Sequence, residues 1–81
     1  MNTYKLSNIP LKTMCWFIEH NGCKDVGGIG GHKKYVRKDL TRPIIIQSHI
    51  DPVPEFIVKQ ILRHLGFDKK QFHEYLKAIA S

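Results

Sequence analysis

An α+β fold is predicted for this chain: α-β-β-β-α, a three-stranded antiparallel sheet with helices on one face, plus a C-terminal helix. Apolar residues recur at helical spacing over 11–18, the period disappears from Cys23 onward, and it returns after Pro54. Eighty-one residues suffice for one small domain with one modest core. A short antiparallel sheet needs one face covered by helices, which leaves its other face to solvent or a partner.

The elements follow in order. Residues 1–8 are expected to be an N-terminal arm and residues 9–81 a single domain with a C-terminal helical extension. Ser7-Asn8-Ile9-Pro10 offers a capping residue and a proline suited to a first helical turn. Leu11, Met14, Cys15 and Ile18 then form an apolar stripe, widened by Phe17 and Trp16, before Asn21-Gly22 supplies a left-handed stop. Cys23–Val26, His32–Arg37 and Pro43–Gln47 read as a meander, with turns at 27–31 and at Lys38-Asp39-Leu40-Thr41. Pro54 suits the start of a second helix, whose stripe Ile57, Ile61, Leu62, Leu65 ends at Gly66. Asp68 and Gln71 have the spacing of a reciprocal cap for a third helix carrying Phe72, Tyr75, Leu76 and Ile79.

Charge and composition exclude several function classes. Thirteen Lys/Arg against seven Asp/Glu give +6, and the segment Lys24–Arg42 alone holds six basic and two acidic residues, a net +4. Such an excess favours nucleic acid or another acidic partner. The longest purely apolar run, Met14–Ile18, is far below the 18 or so residues of a membrane span, and the N-terminus lacks a signal-peptide core. A soluble, cytoplasmic protein with reduced cysteines is the expectation. Cys15 and Cys23 form no C-x-x-C pair and lack the close ligand pairs of a zinc site, so neither metal nor cofactor is expected.

The segment Gly27-Gly28-Ile29-Gly30-Gly31-His32-Lys33-Lys34-Tyr35 combines close-approach glycines, phosphate-attracting lysines and a histidine, the residue type suited to proton transfer in water. Taken alone it is open between a polyanion site and a glycine-rich hairpin whose lysines solvate an edge strand. Period-two geometry places Lys34, not Lys33, on the face of His32.

The order of elements and several spacings resemble the HicA-type mRNA interferase toxins over about residues 9–73. The interval from Gly22 to His32 matches that between the helix-ending glycine and the histidine of the family's Gly-Ser-His motif. Tyr35 follows His32 through Lys33 and Lys34 as the family aromatic does, and Ile61-Leu62, Gly66-Phe67 and Phe72 keep the register of its second helix. The chain departs from the pattern at Gly31 in place of serine, Gly27 in place of arginine and Cys23 in place of an aromatic.

The resemblance implies a double-stranded-RNA-binding-domain-like fold, metal-independent endoribonuclease activity on mRNA, and a cognate HicB-type antitoxin that covers the site. His32 would be the catalytic acid/base, and Lys34 would hold charge in the transition state. Lys33, Lys24, Arg37 and Arg42 would add affinity for substrate phosphates, and the amides of Gly30 and Gly31 would add neutral donors.

His49 reads either as a second proton-transfer group or as a polar loop histidine, whereas His20, His64 and His73 lie on helix flanks and ends. Trp16 and Tyr4 either finish the core or face a partner. The alternative to an enzyme is a non-catalytic RNA-binding module on the same fold; a third reading is a subunit that engages only protein through its first helix.

Overall fold

The computed structural model describes residues 5–80, with side chains described through residue 78. Tyr4 and the side chain of Ile79 lie outside the described residues. Three helices, α1 (Leu11–His20), α2 (Glu55–Leu65) and α3 (Lys69–Ala80), accompany a sheet of β1 (Lys24–Asp25), β2 (His32–Val36) and β3 (Ile44–Gln47). The sheet is antiparallel in the order β1-β2-β3. The small α+β architecture is therefore as the sequence predicts.

The strands are shorter than the segments Cys23–Val26, His32–Arg37 and Pro43–Gln47 expected for them, for local reasons. Cys23 is buried and its amide turns back to Ile18 O, ending α1 rather than starting β1. Arg37 leaves β2 as its guanidinium turns toward Asp39 and Asn21 O. Pro43 has no N–H to extend β3.

Alternation sets the two faces of the sheet. Tyr35, Ile44 and Ile46 are buried, while His32, Lys34, Ile45 and Gln47 are exposed. The buried set joins Met14, Phe17 and Ile18 of α1 and Val58, Ile61 and Leu62 of α2 in one core. The face carrying His32 is thus uncovered. On the other side Phe17 is fully buried and meets Phe67, Phe72 and Tyr75 edge-on, with centroids 5.0, 4.8 and 5.2 Å away. Each such contact adds about 0.5–1.5 kcal/mol to burial, which explains how α3 is fastened to α1.

Helix ends follow the sequence in three places, the first being Gly22 past α1 with φ 82°, and depart from it in one. Asp68 N donates to Gln71 Oε1 (2.9 Å) and Gln71 N to Asp68 Oδ1 (2.7 Å), the reciprocal cap expected for α3. Gly66 closes α2 in the left-handed region, φ 80°. Ser7, however, does not cap α1. Pro10 occupies the cap position without a side-chain bond, and the acceptor comes from across the chain, Asp51 Oδ1 at 3.0 Å from Leu11 N.

The arm also differs from expectation where it is described: Leu6 is buried in the core, Lys5 O bonds the His73 ring, and Ile9 pairs with Val53. Leu6 therefore belongs to the folded body. Trp16 is half-buried against the core and stacks on His20, centroids 4.1 Å apart. No helix among the described residues is long and apolar enough to cross a membrane.

Candidate functional site

The link from β1 to β2 is pinned at both ends before it reaches His32. Val26 N donates to Lys34 O (2.8 Å), and Asp25 Oδ1 accepts from Gly27 N (2.9 Å). Beyond them the chain folds back onto the start of β2 so closely that a Cβ on Gly28 would overlap the His32 carbonyl oxygen and lie 2.8 Å from its carbonyl carbon. Only glycine fits there. Beyond it, Gly31 O accepts from both Ser48 N (2.6 Å) and Ser48 Oγ (2.9 Å), which ties the loop to the end of β3.

This fixes the chemistry of His32. Its Nδ1 lies 3.2 Å from Ile29 O, and a carbonyl oxygen only accepts, so Nδ1 carries the proton. In the neutral ring Nε2 then has a free lone pair. The side chain is exposed on the open sheet face, so Nε2 is an available base.

The residues nominated from sequence separate into groups. Lys34 is exposed on the His32 face, cross-strand from Ile45, and Lys24 shares that face through its pairing with Val36. Lys34 stands two residues from His32, whereas Lys24, opposite Val36, puts its charge about 13 Å from His32 along the same face at strand spacing. Lys33 points to the opposite face, where it is half-buried with its Nζ 6.0 Å from the Tyr35 ring centroid, in a groove with Cys15, Trp16 and Glu19. Gly30 and Gly31 lead directly into His32.

Arg37 stands just past the end of β2, five residues from His32 and about 16 Å away at strand spacing. Its guanidinium is engaged by Asp39 Oδ1 (2.6 Å), Asp39 Oδ2 (3.0 Å) and Asn21 O (2.7 Å). The hydrogen bond from Arg37 holds the Asp39 carboxyl below its ordinary range and in turn raises the guanidinium. Arg37 braces the end of α1. Arg42 is exposed at the opposite end of β3 from His32, in a groove it shares with Arg63 and His64 of α2.

Two further residues gain meaning from the structure. The His49 ring occupies the space of a Gly31 side chain: a Cβ there would come within 2.6 Å of His49 Nδ1. Glycine at this position is thus matched to a histidine 18 residues away. Gln47, which sequence reasoning passed over, faces His32 directly across the ladder. The strand register that pairs them is the signal that could have found it.

Away from the open face, Tyr35 is fully buried and donates to Glu19 Oε2 (3.0 Å). Burial, then hydrogen bonds with Cys15 and Glu19, pushes its phenol well above the ordinary value. Burial likewise raises the Cys23 thiol, opposed by the charge of Arg37. Among the described residues no group of three or more His, Cys, Asp or Glu side chains could hold a metal ion. Comparison of the chain with protein-family models, curated proteins and solved structures gives no match.

Proposed function

We propose that this chain is an endoribonuclease that cleaves mRNA, the toxin of a toxin–antitoxin pair, on a fold of the double-stranded-RNA-binding-domain kind that HicA-type toxins use. The observation that carries the reading is the orientation of His32: Nδ1 is committed to Ile29 O, and Nε2 is free on an uncovered face that also bears Lys34 and Lys24.

RNA carries its own nucleophile, the 2′-OH next to the phosphorus. Nε2 of His32 takes the 2′-OH proton, the 2′-oxygen bonds to phosphorus, and the bond to the 5′-oxygen breaks. That oxygen gains a proton from solvent, which leaves a 2′,3′-cyclic phosphate and a 5′-hydroxyl. Lys34 offsets the charge that builds on the phosphoryl oxygens. Lys24 contributes affinity that weakens as salt rises. A HicB-type antitoxin would restrain such an enzyme in the cytoplasm by covering the His32 face, and the basic centre of the chain suits an acidic partner.

The test is induction of wild type and His32→Ala in a bacterial host, with both checked for solubility and folding. Growth arrest and broken transcripts with wild type alone are expected. Intact transcripts and normal growth with wild type would favour an RNA-binding module without chemistry.

A further inference from the structure

The cleft beside His32 has no part in the proton transfer. It opens between β3 and the first turn of α2, with a volume of about 230 Å³. Its apolar wall includes Ile45, Ile50 and Phe56, and its polar side chains are His32 and Gln47. Ile45 is 52% exposed and Phe56 64%, so neither is spent on the core. Single exposed apolar side chains are ordinary, but three of the five large exposed ones among the described residues meet in this one concavity.

Size and charge select the occupant. The volume falls below the roughly 300 Å³ at which drug-sized ligand pockets begin, so a single planar ring system fits. Among the described residues no carboxylate lines the cleft, and Lys34 stands on the same open face, cross-strand from Ile45. A small apolar cleft with one amide in its wall and a cation on the adjoining face complements a nucleotide: ring, hydrogen-bonding edge and phosphate.

We propose that this cleft takes an unpaired nucleobase of RNA, flanking the phosphate at His32. The base stacks on Phe56 and Ile45. Gln47 reads its edge, because an amide offers both donor and acceptor, and Lys34 meets the adjoining phosphate. Stacking tolerates every base, so Gln47 is the specificity-determining residue and Phe56 the affinity-determining one. The inference rests on the RNA reading above and adds a subsite to it.

The experiment uses the full chain and a fluorescent hexanucleotide of 2′-O-methyl RNA, which cannot be cleaved, together with six versions each abasic at one position. Wild type is expected to lose about five- to 150-fold in affinity at one abasic position and little at the others. Phe56→Ala should lose most of that factor on the intact hexamer and little further on that abasic one, and Phe56→Tyr should restore binding. Gln47→Ala should even out the affinities of the four bases at that position. Equal loss at every abasic position, or additive losses for Phe56→Ala and the abasic site, would overturn the subsite. Absence of any RNA binding would overturn both the subsite and the ribonuclease reading. Base-dependent binding by a protein that never cuts natural RNA would remove the ribonuclease reading alone.

Discussion

Replacing Gly28 by alanine puts a methyl group into the His32 backbone, where no side-chain rotation relieves it. Real Cβ atoms essentially never approach other heavy atoms within 3.0 Å, yet this one would overlap the carbonyl oxygen and lie 2.8 Å from the carbonyl carbon. Loop and strand must separate by roughly 1 Å, and a displacement of that size at a reacting group costs about 100-fold in rate. The 3.2 Å contact from His32 Nδ1 to Ile29 O spans the same gap, so ring orientation is lost together with position. Overpacking strain of this kind costs about 1–3 kcal/mol, toward the low end here because the loop is exposed and the core is untouched. Single-turnover cleavage of a synthetic RNA, thermal melting, and the NMR signals of the His32 ring read the three effects separately. Ile29→Ala is the control: it keeps the carbonyl and removes a side chain that is 93% exposed. If Gly28→Ala cut RNA within about threefold of wild type with an unmoved His32 signal, the close-approach argument would be refuted.

Three other predictions concern different parts of the chain. Asp51→Ala should cost about 1 kcal/mol in urea unfolding by uncapping α1 from 40 residues away, and Asp51→Asn, which keeps an acceptor, should recover most of it. Because burial raises the Tyr35 phenol, the unfolded chain loses that proton first as pH climbs. The associated stability is complete below about pH 10 and drains away above it, so Tyr35→Phe should flatten the fall in unfolding free energy between pH 9 and pH 11. Lys34→Ala should slow cleavage and lower the salt dependence of RNA binding by about one unit of slope, whereas Lys33→Ala, on the far face, should leave both unchanged in a stopped-flow salt series.

What the sequence made legible was whatever depends on neighbours along the chain. Apolar periodicity located α1, α2 and α3, the Asp68–Gln71 spacing gave the α3 cap, and period-two alternation separated Lys34 from Lys33. The open face of the sheet could be anticipated for the same reason. What escaped depends on contacts that only the folded chain creates. Asp51, not Ser7, caps α1 because the turn after β3 returns to that end of the molecule. Leu6, within a segment that reads as an arm, is buried because Ile9 and Val53 draw the chain against the core. Arg37 has the charge of a phosphate ligand, but Asp39 and Asn21 engage its guanidinium. Gly31, which departs from the HicA-type pattern as a residue type, makes physical sense once the His49 ring is seen against it.

The central claim is that Nε2 of His32 removes the 2′-OH proton of RNA. Purified wild type and His32→Ala, incubated with a synthetic RNA whose product ends are weighed by mass spectrometry, test it most directly. The account predicts 2′,3′-cyclic phosphate and 5′-hydroxyl ends from wild type and a loss of at least 100-fold in His32→Ala with RNA binding largely retained. Products ending in 3′-hydroxyl and 5′-phosphate, or a His32→Ala protein that cuts as wild type does, would contradict it.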